Sequence, residues 1–199
     1  MRLLFATGNA GKLREAREIL GPSFDLLSPA DAGISGEPEE TGDTFRENAL
    51  QKARWYQERC GLPCFADDSG LEVDALGGAP GIYSARYAGE GHDFAANIDK
   101  LLKELSRCGN PVRSARFRCC VALLLPGEEP RFFDGAVEGR IGTRKAGCGG
   151  FGYDPVFIPD AYPDRTLAEV EEAAKNAISH RGVALRAMTA WLAANLASS

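Results

Sequence analysis

Three features of this 199-residue sequence predict an α/β fold with a mixed, twisted central sheet flanked by helices. The run Arg2 to Ala6 passes through a glycine-containing loop directly into a helical pattern, the strand–loop–helix unit of an α/β protein. A second apolar run, Cys64 to Ala66, ends in Asp67, Asp68, Ser69 and Gly70. That is the form of a buried strand delivering polar residues at its C-terminal end, where such sheets place ligands. Finally, Ala115 to Leu125 and Arg131 to Val137 read as strands joined across Pro126-Gly127-Glu128-Glu129, a hairpin candidate that makes the sheet mixed and could form the body of a second lobe.

Size and composition narrow the function. A chain of this length suits one domain, with room for two lobes, and is ample for a sizeable core. With 28 acidic and 23 basic residues the net charge is -5, and no basic arm or stripe occurs, so duplex nucleic acid is not an expected partner. The six cysteines form no Cys-x-x-Cys pair and the only histidines are His92 and His180, which disfavours structural zinc. The N-terminus turns polar at Thr7, too soon for a secretory segment, and no apolar stretch approaches the ~20 residues that span a bilayer. A reduced, cytoplasmic protein is the simplest account.

In chain order, Thr7-Gly8-Asn9-Ala10-Gly11-Lys12 follows the first strand and opens a helix with Leu13, Ala16, Ile19 and Leu20 at helical spacing, stopped at Gly21-Pro22. Such a loop offers backbone N–H groups, a helix N-terminus and a lysine to an anion, although it lacks Walker A spacing. Its alternative is a β–α connection using glycine for close packing. Phe24 to Leu27 is a second strand. The polar loop Asp31 to Asp43 holds Glu37, Glu39 and Glu40, which are either solvated or ligands for a hard cation. Thr44-x-x-Glu47 reads as a capping box opening a helix to about Cys60. Phe45, Ala49, Ala53 and Tyr56 form its apolar stripe, and Asn48 and Lys52 share another face.

Asp67 and Asp68, adjacent on a strand, point to opposite faces unless the chain turns, which the Asp-Ser-Gly composition also permits. Leu71 to Val73 alternates as a strand, and Asp93 to Ser106 is an amphipathic helix. The second functional cluster is Gly147 to Pro155: glycines allow close backbone approach, Phe151 and Tyr153 offer flat faces, and Asp154 offers an acceptor. A turn with a packed aromatic is the competing reading. Lys175, His180 and Arg181 lie before and at the start of a final helix carrying Leu185, Met188 and Leu192.

Two glycine loops, cations at Lys12, Lys52, Lys175 and Arg181, carboxylates at Glu39, Asp67 and Asp68, and the Phe151–Asp154 cluster are what a nucleoside triphosphate with its divalent ion requires. The segments Thr7 to Lys12, Glu39 to Gly42, Asp67 to Leu71, Gly77 to Tyr87, Gly149 to Pro155 and Ser179 to Gly182, in this order, closely resemble the inosine triphosphate pyrophosphatase family. The resemblance covers nearly the whole chain, as a single two-lobed domain over residues 1–199. It implies a cleft between the lobes, a cytosolic homodimer, dependence on Mg²⁺, and hydrolysis of ITP, dITP and XTP to the monophosphate and pyrophosphate.

The resemblance further implies that Thr7, Gly8, Asn9, Ala10, Gly11 and Lys12 bind phosphate, and that Glu39 and Asp68 ligate the metal, with Asp68 also the base. It implies that Ser69 and Lys52 contact substrate, that Phe151 stacks on the base, that Gly152, Tyr153 and Asp154 line its pocket, and that Lys175, His180 and Arg181 close it. Cys148 stands where a threonine is usual, and Ala174 where a glutamate is expected. The expected reaction is in-line attack of water on the α-phosphorus, with Asp68 or alternatively Asp67 accepting the proton. Donors on His180 and Arg181 would select a 6-oxo purine.

Overall fold

The first strand, β1 (Arg2–Phe5), is followed by α1 (Ala10–Leu20), β2 (Asp25–Leu27), α2 (Phe45–Cys60) and β3 (Cys64–Val73). Two short 3₁₀ segments, Asp74–Leu76 and Gly81–Arg86, lead to α3 (Phe94–Arg107). Then come β4 (Ser114–Leu124), β5 (Arg131–Ile141), β6 (Phe157–Pro159), a further 3₁₀ turn, α4 (Glu172–Ile178) and α5 (His180–Leu196). This computed structural model describes residues 1–91, 93–109 and 112–196, and not the side chain of Leu196. His92 lies outside the described residues.

The six strands form one sheet in the order β2-β1-β3-β4-β5-β6. β1 pairs in parallel with β2 and β3, and β5 pairs antiparallel with β6, so the sheet is mixed, as expected. The strand of greatest consequence is β3. Turn-forming residues at Asp67 to Gly70 do not break it: it runs for ten residues straight through them. It lies between β1 and β4 in the sheet, pairing with β1 at Cys64 and Phe65, and its tertiary setting overrides local turn preference.

The chain divides into two compact units. The first contains Met1–Asp68, Cys119–Gly135 and the segment from Arg181 onward. Its sheet is covered on both faces, and strand alternation sorts the side chains. Leu3, Phe5, Phe65, Val121 and Leu123 pack with Ala16 and Leu20 of α1 and Leu185, Met188 and Leu192 of α5. Leu4, Ala6, Cys64, Ala66, Ala122 and Leu124 pack with Ala49, Ala53 and Tyr56 of α2. On the first face Phe5 and Phe65 stack with ring centroids 4.4 Å apart. Each fully buried large side chain stabilises by roughly 1.5–3 kcal/mol.

The helix boundaries follow from their caps. Asn9 accepts from the N–H groups of Gly11 and Lys12 at 2.9 and 3.1 Å and starts α1. Thr44 accepts from the Glu47 N–H at 3.1 Å and starts α2, but the return bond of the expected capping box goes to the Asp43 N–H rather than to Thr44's own. Gly61, at φ 66°, ends α2 in the left-handed conformation.

The second unit holds Ser69–Arg118 and Ala136–His180. One core serves it: Leu71 and Val73 of β3, Ile98, Leu101 and Leu105 of α3, Ala115 and Phe117 of β4, and Tyr153, Val156, Phe157 and Leu167. Among the described residues no helix is long and apolar enough to cross a membrane.

Candidate active site

The two carboxylates near the middle of β3 follow the alternation of the strand. Asp67 has the parity of Phe65, on the face covered by α1 and α5; Asp68 has the parity of Ala66, on the face covered by α2. Their surroundings differ accordingly. Asp67 is 1% exposed. Lys12 donates to both its oxygens at 3.1 and 3.0 Å, and Arg181 Nε donates to Oδ2 at 3.0 Å. Arg181 Nη1 in turn donates to Glu15 at 2.8 Å. Burial alone would raise the Asp67 pKa, but Lys12, then Arg181 and Lys52, overcome it and hold the carboxyl well below the usual range. Burial works against the charge of Arg181, and Asp67 and Glu15 outweigh it and keep the guanidinium protonated.

Asp68 faces a different set. It accepts from Asn48 Nδ2 at 3.1 Å, and Asn48 Oδ1 accepts from the Gly42 N–H at 2.8 Å. Lys52, one turn further along α2, donates to the main-chain oxygen of Asp67 at 3.2 Å and is ion-paired with Glu40. The Asn48–Lys52 face of α2 therefore lies against the β3 carboxylates. Burial pushes the Asp68 carboxyl up to about 6; Lys52 and the Asn48 hydrogen bond oppose this, while the charges of Glu40 and Asp67 add to it. Lys52 is partly desolvated, yet Glu40, Asp67 and Asp68 raise its pKa above the ordinary value and keep it cationic.

The acid brought to Lys52 and Asp68 is Glu40, the neighbour of the expected Glu39. Glu39 is exposed and lines a surface hollow with Glu37, Arg54 and Trp55. Two adjacent glutamates in an irregular loop carry no periodicity to say which turns inward. Among the described residues no three acids, histidines or cysteines are gathered around one point. The Asp68–Glu40 pair, hard oxygen donors whose charges repel each other, fits an ion such as Mg²⁺, which takes one or two carboxylates and completes its shell with water and substrate phosphates.

The loop Thr7 to Lys12 is arranged around Asn9, whose own N–H donates to Thr7 Oγ1 at 3.2 Å. Gly8, Asn9, Ala10 and Gly11 are exposed, and Lys12 is the side chain that reaches the buried carboxylate. Glu15, three residues after Lys12 on α1, completes this group. Sequence reading passed over it, although the i, i+3 spacing puts the two on one helix face.

In the second unit, the glycine–aromatic loop is organised by Asp154. One of its oxygens accepts from the Phe151 N–H at 2.8 Å and is also ion-paired with Lys175, which comes from α4. The Lys175 ammonium sits 5.0 Å from the Phe151 ring centroid, and Phe151 itself is 59% exposed. A cation against one face of an exposed ring makes a flat platform. Gly150 (φ 73°) must be glycine, since a Cβ there would meet Asp154 Oδ2 at 2.2 Å. Gly152 also has positive φ, 62°.

Tyr153 is buried, and its hydroxyl donates to the Ser84 carbonyl at 2.8 Å. Asn97 on α3 holds the same segment, donating to the Ala85 carbonyl at 3.1 Å and accepting from the Ala88 N–H at 2.6 Å. The Gly77–Tyr87 stretch thus serves as a strut behind the loop. Its part was not visible in the sequence.

The remaining candidates are placed as follows. Ser69 is half-buried on β3 directly after Asp68. His180 stacks on Phe117, centroids 5.1 Å apart. Arg181, expected to read the base, has its guanidinium engaged by Asp67 and Glu15. Cys148 is exposed, and Ala174 lies on α4 beside Lys175.

The sequence model of the Ham1 family matches residues 3–191. A Bacillus licheniformis protein named dITP/XTP pyrophosphatase is 49% identical over 191 residues, which cover 96% of this chain and 97% of that one. The solved structure of the Staphylococcus aureus Ham1 protein superposes with a TM-score of 0.89 at 39% identity, covering 98% of this chain and 99% of that one. A HAM1 protein from Coxiella burnetii does so with a TM-score of 0.91 at 40% identity, covering 97% and 98%.

Proposed function

Because the chain belongs to the Ham1 family, we propose that it hydrolyses non-standard purine nucleoside triphosphates (ITP, dITP and XTP) to the monophosphate and pyrophosphate, and so clears deaminated purines from the nucleotide pool. The observation that carries this reading is the pair Asp67 and Asp68. They are adjacent on one strand but turned to opposite faces, one saturated by cations and the other raised to a pKa of about 6 beside Glu40 and Lys52. Mere binding of a polyanion would not need so many acids.

Water attacks the α-phosphorus in line. Its oxygen forms the new P–O bond, the bond to the bridging oxygen breaks, pyrophosphate leaves, and the proton of the water passes to a carboxylate. Asp68 is assigned that role. Asn48 fixes its orientation. Asp68 and Glu40 would hold a Mg²⁺ ion, which when bound offsets charge on the phosphates. Lys12 and Lys52 contribute fixed positive charge beside them.

The base is assigned to Phe151, which, backed by Lys175 and fixed by Asp154, stacks on the purine, and His180 at the start of α5 is assigned as a donor to its 6-oxo group. A cytoplasmic homodimer belongs to the same reading. The test is dITP with Mg²⁺, assayed for pyrophosphate and orthophosphate, with ATP as control. Pyrophosphate from dITP and little turnover of ATP is the expected result; orthophosphate alone, or equal turnover of ATP, would refute it.

A further inference from the structure

Glu15, Arg181, Asp67 and Lys12 form a series of alternating charges. Glu15 accepts from Arg181 at 2.8 Å, Arg181 donates to Asp67 at 3.0 Å, and Lys12 donates to Asp67 at 3.0 and 3.1 Å. Exposure is least in the middle and rises toward both ends: the Glu15 side chain is 13% exposed, Arg181 4%, Asp67 1% and Lys12 21%. The four residues come from α1, β3 and α5, so no single element sets the position of the ammonium.

We propose that Asp67 is a positioning residue that holds the Lys12 ammonium where the pyrophosphate half of the substrate binds, with Arg181 as the buried anchor of Asp67 rather than a reader of the base. The role rests on the pyrophosphatase reading given above. Both oxygens of Asp67 already accept hydrogen bonds from cations, so it is badly placed to take a proton from water. An ammonium has three donors, so Lys12 can keep Asp67 and still offer a hydrogen to a phosphate oxygen. A long, flexible side chain held in place before substrate arrives loses less freedom on binding. Glu15 does for Arg181 what Arg181 does for Asp67, and the local charges cancel until a phosphate enters.

The test is a double-mutant cycle on Asp67→Asn and Lys12→Met, reading the affinity for inorganic pyrophosphate and kcat/KM for dITP with Mg²⁺ present. Asp67→Asn is expected to weaken pyrophosphate binding by about tenfold in the native background and to have little further effect once Lys12 is methionine. Full additivity, or a turnover loss from Asp67→Asn that persists undiminished in the Lys12→Met background, would overturn the role, the second outcome marking Asp67 as the base. If Asp67→Asn does not fold, a crystal structure of the native protein with pyrophosphate decides. Lys12 touching both Asp67 and a phosphate oxygen supports the proposal; Lys12 parted from Asp67 overturns it. Failure of the native enzyme to release pyrophosphate from dITP would remove the function and this role together, whereas normal hydrolysis with additive losses removes only the role.

Discussion

The carboxylates of the first unit and the aromatic loop of the second hold their geometry by opposite means. Asp67 is fixed by cations 55 and 114 residues distant, brought in on helices that also bury the core. Asp154 is fixed within its own loop, to a backbone N–H only three residues away, and by one lysine. The first arrangement is dense in charge and mostly buried; the second is a thin glycine loop with its ring outside. On the reading proposed above this is a division of labour, with the chemistry on residues held from several elements and recognition on a loop whose ring faces outward.

Asp68→Asn gives the largest way to break that contrast. Turnover of dITP should fall by about 10²- to 10⁴-fold, the range for loss of a general base, while KM changes little. A rise in KM with turnover preserved would move Asp68 from chemistry to binding. Phe151→Ala should do the reverse. Loss of one stacked base contact is worth about 1–3 kcal/mol, read as a higher KM for dITP, and the exposed ring leaves thermal stability nearly unchanged. Third, Gly150→Ala should raise KM and lower the melting temperature together, because a non-glycine residue at φ 73° is strained and its Cβ collides with Asp154.

The smallest effect sharpens the comparison from outside both sites. Asp74, on the surface of the second unit, accepts hydrogen bonds from Arg116 and Ser114, which lower its pKa from 3.8. The folded-state value lies below the unfolded one, so its contribution is complete above about pH 3.8 and is lost as pH falls below it. Asp74→Asn should cost a little stability at neutral pH, and denaturation curves of variant and native protein should converge in acid. Exposed pairs of this kind are worth little.

Much of the frame was legible from the sequence. The 3.6-residue stripes marked α1, α2 and α3, and Thr44 marked the start of α2. Asp67 and Asp68 were readable as opposite-facing residues from strand alternation alone. What remained hidden was long-range. The continuity of β3 through Asp67–Gly70 comes from its place inside the sheet, not from its own turn-prone residues. The pairing of Glu40 with Lys52 and the engagement of Arg181 with Asp67 join residues that no local pattern relates. Tyr153 read as a flat face for a ligand, yet its burial and its bond to Ser84 come from α3 and the segment it holds.

Asn48 is a single amide with both ends occupied: its oxygen takes the Gly42 N–H and its nitrogen serves Asp68. Gly42 has no space for a side chain, since a Cβ would stand 2.7 Å from that of Glu47 and 2.8 Å from Asn48 Oδ1. Anyone grafting the 37–42 stretch from a relative to retune this protein must therefore transplant Gly42 and Asn48 as a matched couple. A swap of the stretch that separated them would register at Asp68 even with every acidic residue conserved.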